Sequence, residues 1–262
     1  MPTATNDGVA IYYERAGDGA PVLLLGDLGF GAWQWGWQHA ALAGPYETVV
    51  PETRGCGRSD APPGPYDLEA LAGDATAVIR DADCRAAHVV GAGLGGVVAL
   101  RLALATGRVR SLTLLGCAPS DEALDLDPLA ADPDDEAALR TSLAAALSDG
   151  FREHRPDVVD RIVDWRRAED ADPVAWRAQR AALDGFDVRD RLLEVTVPAL
   201  VVHGTADARW PPERGERLAD DLPRGRFEPV DGAGHLVGVE ASRVVNDELL
   251  GFLATVEDED GR

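Results

Sequence analysis

The segment that most constrains this chain is a short strand that runs through a cluster of glycines into a helix. Residues 86–96 read AAHVVGAGLGG. The β-branched pair Val89-Val90 favours a strand, and the apolar run from Leu94 to Ala105 favours a buried helix. Because glycine adopts backbone angles that other residues avoid, such a junction permits a sharp turn. We therefore predict a strand, a tight turn and a buried helix in this segment.

Gly93 is the residue of this turn on which function depends. A strand-to-helix turn of the form G-x-S-x-G presents a nucleophilic serine at its middle position. Here residues 91–95 read GAGLG, so the flanking glycines are present and the hydroxyl is absent. The nucleophile position at Gly93 is therefore vacant, and a mechanism based on a serine at this turn is excluded.

Four other segments resemble parts of the α/β-hydrolase superfamily, and in particular its small enol-lactonases, esterases and cofactor-free haloperoxidases. They are PVLLLGDLG (21–29), PETRGCGRSD (51–60), VVHGTAD (201–207) and GAGHLVGVE (232–240). In that superfamily the first supplies half of the oxyanion hole, the third the catalytic acid and the fourth the catalytic histidine. The order of turn, acid and histidine is also the one that these hydrolases use. The resemblance covers nearly the whole chain and implies the α/β-hydrolase fold.

The predicted fold class is α/β, with a mainly parallel sheet flanked by helices. Short apolar runs alternate with helical patterns over residues 1–118 and 196–262, which we assign to the hydrolase core. Residues 119–195 instead show helical spacing, such as Leu139 and Leu143, and little strand character. By the resemblance, they form a helical cap inserted after the sixth strand, over the carboxyl ends of the strands, where ligands bind.

Two helices of the core have ends that the sequence predicts. A helix over 67–82 is expected to begin at Asp67, whose side chain can accept a hydrogen bond from the first turn. The last helix is expected over about 242–252. We expect the acidic tail EDEDGR, residues 257–262, to fray.

The resemblance implies a proton-transferring pair and an oxyanion hole. His235 is the candidate general base, and Asp207 is the acid that would orient it and stabilise its protonated form. A structural loop histidine and a turn aspartate are the alternatives. The backbone N–H groups of Leu28 and Leu94 are the candidate oxyanion hole, which needs no side chain at position 93.

Asp27 and Ala92 are possible pocket residues beside this hole. Gly26-Asp27 stands where the family usually has His-Gly. An ionised carboxylate at Asp27 would oppose an oxyanion, whereas a protonated or outward-facing one would not. The alternative for Asp27 is a solvent-facing turn residue. Ala92 leaves room beside His235 in which a water could bind if polar groups line it.

Cys117 and Trp33 are two further possible pocket residues. Cys117 ends an apolar run and would be a substitute nucleophile, but a free cysteine is more often a small buried apolar residue. Trp33 belongs to a cluster of alternate tryptophans, which form either a packing surface or a pocket wall.

Neither a cofactor nor a metal is predicted. Gly91, Gly93 and Gly96 satisfy the dinucleotide motif G-x-G-x-x-G, but no acid follows in the zone where that motif needs one, around Leu114 to Cys117. The three cysteines fit no metal spacing.

The net charge of the chain bears on the kind of partner that it can bind. The chain has 46 acidic residues against 25 basic ones, all arginine, and a net charge of −21. A surface this acidic disfavours nucleic acid. It is typical of a halophile, which we take to be haloarchaeal, and a bacterium with an ordinary cytosol is the alternative.

With no apolar run of membrane-spanning length and no apparent secretory signal, we expect a cytoplasmic protein whose partner is a small molecule. The oligomeric state stays open.

The sequence favours an enzyme over a binding protein. The predicted reaction is hydrolysis of a small ester or lactone by water that the Asp207–His235 pair activates, without a serine nucleophile. Two alternatives stay open. One is a non-hydrolytic lyase, isomerase or decarboxylase that uses the same pair. The other is a non-catalytic homologue that binds a small ligand.

Overall fold

The structure, a computed structural model, describes residues 2–261 and contains an eight-stranded sheet. Its strands are β1 (Thr3–Asn6), β2 (Val9–Ala16), β3 (Ala20–Leu25), β4 (Tyr46–Pro51), β5 (Ala87–Ala92), β6 (Val109–Leu115), β7 (Ala199–Gly204) and β8 (Gly225–Val230). Its α-helices are α1 (Gly36–Leu42), α2 (Leu68–Asp81), α3 (Leu94–Ala105), α4 (Glu136–Ala146), α5 (Asp149–His154), α6 (Pro156–Glu169), α7 (Pro173–Arg180), α8 (Pro212–Asp221), α9 (Val237–Glu240) and α10 (Ser242–Asp260). None of these helices is long and apolar enough to cross a membrane.

The strand order across the sheet is β1-β2-β4-β3-β5-β6-β7-β8. The pairs β1–β2 and β2–β4 are antiparallel, and every other neighbouring pair is parallel. Helices α4 to α7 all lie between β6 and β7. The predicted α/β class, with a mainly parallel sheet and a helical segment after the sixth strand, is therefore confirmed. We call residues 119–195 the helical insertion.

The apolar core has two parts because successive side chains of a strand point to opposite faces of the sheet. On β3, Leu23 and Leu25 belong to the core that α2, α3 and α8 cover. Val22 and Leu24 belong to the second core, which α1 and α10 cover. The continuous apolar run of β3 is thus explained by burial on both faces.

The ends of two helices test the sequence predictions. Asp67 precedes α2 and accepts a hydrogen bond from the backbone N–H of Ala70, as predicted. The prediction of a frayed acidic tail is wrong over residues 257–260, because α10 continues to Asp260. Glu257 explains part of the difference, since its carboxylate pairs with His88 and Arg110 of the sheet. Arg262 lies outside the described residues.

The parallel strands bring separate motifs to one edge of the sheet. β3, β5, β6, β7 and β8 run in the same direction, so the ends of four of them, at Leu25, Ala92, Gly204 and Val230, lie along one edge of the sheet. The segments that carry the candidate site residues follow these ends directly. Ligands of open parallel sheets bind at this edge.

Candidate active site

The turn between β5 and α3 is built on glycine. Gly93 has φ 45° and ψ −112°, in the region of backbone conformations that favours glycine. A Cβ atom at Gly95 would lie 2.1 Å from the carbonyl oxygen of Leu25, so only glycine lets α3 approach the end of β3 this closely. As a result, the first N–H groups of α3 face the loop that follows β3.

Asp27, in that loop, reaches across to the turn. Its Oδ1 atom accepts hydrogen bonds from the backbone N–H of Leu94 at 2.8 Å and from that of Leu28 at 2.7 Å. A Cβ atom at Gly93 would lie only 1.9 Å from Oδ1. The Asp27 carboxylate therefore takes up the room that a side chain at position 93 would need. It is not a solvent-facing turn residue, since Asp27 is 1% exposed.

His235 connects Asp27 to Asp207. It lies between β8 and α9, with Nδ1 2.9 Å from Asp207 Oδ2 and Nε2 2.7 Å from Asp27 Oδ2. Because a carboxylate faces each ring nitrogen, both nitrogens donate only when the ring is an imidazolium. Burial by itself would lower the pKa of His235, but the charges of Asp207 and Asp27 outweigh it and raise the pKa to about 10.

Asp207 is held firmly in the turn after β7. Its Oδ1 accepts hydrogen bonds from the backbone N–H groups of Arg209 at 2.8 Å and Trp210 at 3.0 Å. Burial works against its charged form, but the positive charge of His235 and hydrogen bonds to His203 and His235 keep the pKa of Asp207 below its usual range. Asp207 is therefore an anion whose orientation fixes the ring of His235.

The two candidate oxyanion donors are already engaged. The N–H groups of Leu28 and Leu94 converge on one point at distances that suit an oxyanion. That point is Oδ1 of Asp27. While Asp27 keeps this position, the donors serve its own oxygen and not an oxygen of a ligand.

A small cavity of about 20 Å³ borders the charged cluster. Asp27, Ala92 and His235 line it together with Trp35 and Gln38. The indole Nε1 of Trp35 and the Oε1 of Gln38 are buried polar atoms without a hydrogen-bond partner among residues 2–261. This volume is enough for about one water molecule. Trp35 belongs to the cluster of alternate tryptophans for which the sequence leaves a packing surface or a pocket wall open, whereas the sequence contains no signal for Gln38.

A larger pocket of about 160 Å³ lies on the other side of Trp35. Trp33 and Trp35 line it with Arg58 and Glu169. Trp35 is therefore shared between this outer pocket and the cavity at His235. Trp33 lines the outer pocket and is not among the residues that line the cavity at His235.

Cys117 makes no hydrogen bond to this cluster among the described residues, although the charge of Asp27 is near enough to help raise the pKa of its thiol. Its thiol is fully buried and approaches the carbonyl oxygen of Ala118 at 3.7 Å. Burial raises the pKa of the Cys117 thiol, and the residue is not among those that line the cavity at His235. This environment is that of an inert buried thiol.

The loop that carries Asp27 is tied to the helical insertion by a buried ion pair. Asp170 Oδ1 accepts hydrogen bonds from the Gly31 N–H at 2.9 Å and from the Trp33 indole at 2.7 Å. Its Oδ2 accepts one from Arg166, which is equally buried.

A second connection lies nearer to Asp27. The Gly29 N–H donates to Gln179 of α7 at 2.8 Å, and the ring of Trp176 packs against Gly29, where a Cβ atom would lie 2.4 Å away. The position of Asp27 therefore depends on contacts with the insertion as well as with the sheet.

Comparison with known proteins identifies the family of this chain. The model of the alpha/beta hydrolase family matches residues 22–248. The chain is 31% identical to the putative carbamate hydrolase RutD of Azorhizobium caulinodans, over 98% of this chain and 100% of that protein. It is 30% identical to the non-heme chloroperoxidase of Streptomyces lividans, over 95% of this chain and 98% of that protein. The crystal structure of the enol-lactonase from Burkholderia xenovorans LB400 has a TM-score of 0.83 at 25% identity and covers 97% of this chain and 100% of its own. The chain thus belongs to the alpha/beta hydrolase family.

Proposed function

We propose that this protein hydrolyses a small ester or lactone without a serine nucleophile, and that Asp27, His235 and Asp207 are its working groups. Relatives named as a hydrolase and an enol-lactonase support the reaction class. The absence of a hydroxyl at Gly93 supports a different attacking group.

One observation carries the proposal: a continuous hydrogen-bonded chain from Asp207 through His235 to Asp27, which ends on the N–H groups of Leu28 and Leu94. Each charge in the chain has a partner of opposite sign, although all three side chains are buried. Buried ionisable groups with strongly shifted pKa values cluster at functional sites.

The protonation state of His235 sets the order of proton transfers. As an imidazolium it can donate a proton but cannot accept one. It therefore donates its proton to the leaving oxygen as a nucleophile bonds to the acyl carbon and the bond to that oxygen breaks. The neutral ring then takes a proton from water, which returns the site to its starting state.

The test is turnover of a panel of aryl esters and lactones in molar salt by the wild type and by His235→Ala. We expect the variant to lose a factor of about 10²–10⁴ in kcat, which is the usual contribution of a positioned acid or base. His154→Ala is the matched control, because His154 is an exposed histidine of α5. Turnover by the wild type that survives in His235→Ala would contradict the proposal.

A second candidate is a protein that binds a small ligand and catalyses nothing. The observation that favours it is the position of Asp27, which fills the donors that a substrate oxygen would use. Saturable binding of a lactone or ester measured by calorimetry, with no turnover above background, would select this candidate.

We also propose that the protein works in the salt-rich cytoplasm of a halophile. The net charge of −21 supports this, because dense salt screens the repulsion within such a surface. Many exposed carboxylates pair with arginines, for example Asp160 with Arg140 and Asp187 with Arg189. The assays above are therefore made in molar salt and repeated at low salt.

A further inference from the structure

We propose that Asp27 is the nucleophile of this site and that the reaction passes through a covalent acyl-aspartate intermediate. The inference rests on the proposed hydrolase function and goes further, because it names the attacking atom, Oδ2 of Asp27, and a class of substrate.

The first argument concerns the oxyanion hole. The N–H groups of Leu28 and Leu94 lie 2.7 and 2.8 Å from Oδ1 of Asp27. Donors in this arrangement stabilise an oxygen on which negative charge develops. Because Oδ1 fills the hole, the charge that the hole can stabilise is one that develops on Asp27 itself. Such charge develops when water attacks Cγ of an acylated Asp27.

The second argument concerns the other carboxylate oxygen. Oδ2 accepts one hydrogen bond within the described part of the chain, from His235 at 2.7 Å, so it keeps a further lone pair. Asp27 also borders the cavity that His235, Trp35 and Gln38 line. The glycine at position 93 is what permits this placement, since any side chain there would collide with the carboxylate. An acid in the loop after β3 thus reaches the place at which a side chain on the turn would act.

The first chemical step is acyl transfer to Asp27. Oδ2 attacks the acyl carbon of the ester, a bond forms between them, and the bond from the acyl carbon to the leaving oxygen breaks. The leaving oxygen departs with the electron pair and takes the proton of His235 Nε2. The products are a mixed anhydride on Asp27, a free alcohol and a neutral imidazole.

The second step is hydrolysis of the anhydride. Water attacks Cγ of Asp27 and gives one proton to His235, while the developing oxyanion on Oδ1 is stabilised by the N–H groups of Leu28 and Leu94. The bond between Cγ and Oδ2 then breaks, so the acid product leaves with the original Oδ2. The new carboxyl group of Asp27 releases its proton to solvent, and the ion pair with His235 forms again.

The electrostatics of His235 fit this sequence. Two carboxylates, Asp207 and Asp27, raise the pKa of the ring against the effect of burial. Acylation removes the charge of Asp27, so one of the two causes of the raised pKa disappears. The ring becomes a better proton acceptor at the step in which it must activate water.

The substrate class follows from the nucleophile. A carboxylate is a much weaker base than an alkoxide, so it displaces only a leaving group that is itself weakly basic. Aryl esters, enol esters and enol lactones meet this condition, and simple alkyl esters do not. We therefore expect turnover to fall steeply as the basicity of the leaving oxygen rises.

The test uses the wild-type protein in water labelled with oxygen-18. Enzyme in excess over an aryl ester is allowed a single turnover, and the peptide that contains Asp27 is then weighed by mass spectrometry. We expect one labelled oxygen in Asp27 and none in the released acid. Enzyme kept in the same water without substrate is the control for exchange.

Label in the acid after the first turnover, with an unlabelled Asp27, would overturn the inference and leave the proposed hydrolase function standing. No turnover of any aryl or enol ester would overturn both. A second measurement uses His235→Ala with a nitrophenyl ester, whose leaving group needs no proton. We expect the acyl group to accumulate on Asp27, and a protein mass without the added acyl group would count against the inference.

Discussion

Two buried carboxylates, Asp27 and Asp170, hold the loop that follows β3 in place, and each pairs with a different kind of cation. Asp27 accepts hydrogen bonds from two backbone N–H groups and from His235. Asp170 accepts hydrogen bonds from a backbone N–H, from the Trp33 indole and from Arg166. Both have three donors, one of them cationic.

The difference lies in the cation. Arginine keeps its proton at every pH at which the protein is folded, so the Asp170–Arg166 pair has one state. Histidine exchanges its proton, so the Asp27–His235 pair can enter a reaction. Geometry alone would not separate a structural pair from a reactive one, whereas the chemistry of the cation does.

The largest expected effect is on catalysis. Asp27→Asn keeps an oxygen for the two N–H groups but removes the negative charge opposite His235. We expect kcat for an aryl ester to fall by a factor of about 10²–10⁴, and the thermal midpoint to fall as well, because the ion pair with His235 is lost. Asp18→Asn, at an exposed carboxylate, is the control and should change neither quantity. An Asp27→Asn variant with wild-type kcat would show that both pairs are structural.

The next effect is on stability. Asp170→Ala leaves the Arg166 guanidinium buried without its carboxylate, although Ser142 still accepts one of its hydrogen bonds. We expect the free energy of unfolding to fall by about 3–5 kcal/mol in a urea titration. Asp187→Ala breaks an exposed pair with Arg189 and should cost less than about 1 kcal/mol. Equal losses in the two variants would remove the contrast between buried and exposed pairs.

The two pairs should also differ in their response to pH. The folded pKa of His235, about 10, lies above the value of an unfolded histidine, about 6.5. The pair therefore contributes its full stabilisation below about pH 6.5 and loses it as the pH rises toward 10. We expect the urea midpoint to fall over this range. In Asp27→Asn, which lacks one of the carboxylates that raise the pKa, the fall should begin at lower pH. A midpoint in the wild type that does not change between these pH values would contradict a charged His235.

A smaller effect is expected when a side chain is returned to the turn. Gly93→Ser puts a Cβ atom in the place of Asp27 Oδ1, so we expect a loss of about 1–3 kcal/mol. The double variant Gly93→Ser, Asp27→Ala should recover part of that loss. Unfolding free energies of the two single variants and the double variant form a cycle that measures the coupling. Additive losses would mean that the two positions do not compete for the same space.

Salt should have the smallest effect on the buried pairs and act mainly on the surface. Raising the salt concentration to 1 M shortens the Debye length to about 3 Å and screens the repulsion among exposed carboxylates. We expect the thermal midpoint of the wild type to rise, and the destabilisation caused by Asp170→Ala to stay nearly constant. A salt effect as large on Asp170→Ala as on Asp187→Ala would contradict the burial of the Asp170–Arg166 pair.

Much of the fold could be predicted from the sequence, and the physical reasons can be named. The strands near the site are apolar on both faces, so they appear as uninterrupted runs such as PVLLL before Asp27. The cap of α2 at Asp67 is a local interaction, because the side chain accepts its hydrogen bond from Ala70, three residues along the chain. The end of α10 was not accessible, because it depends on pairing between Glu257 and groups of the sheet that are distant in sequence.

The sequence predicted only those parts of the site that lie in loops directly after parallel strands. Asp207 and His235 lie in loops after adjacent parallel strands, so the fold brings them together. The position of Asp27 depends on a contact with Leu94 across 67 residues and on the missing side chain at Gly93. No local pattern in the sequence predicts such a contact. Gln38 gives no signal either, because a glutamine in a short helix is ordinarily exposed.

A Cβ atom at position 93 would lie 1.9 Å from Oδ1 of Asp27. This distance also limits which substitutions the chain can accept one at a time. A single substitution that introduces serine at the turn meets the carboxylate. A single substitution that removes Asp27 leaves Nε2 of His235 without its carboxylate and supplies no hydroxyl. Each first step is worse than the starting point, so a return to serine requires two changes to be tolerated in turn. A serine-based site in this chain therefore requires changes at both position 93 and position 27, and neither change is expected to improve function by itself.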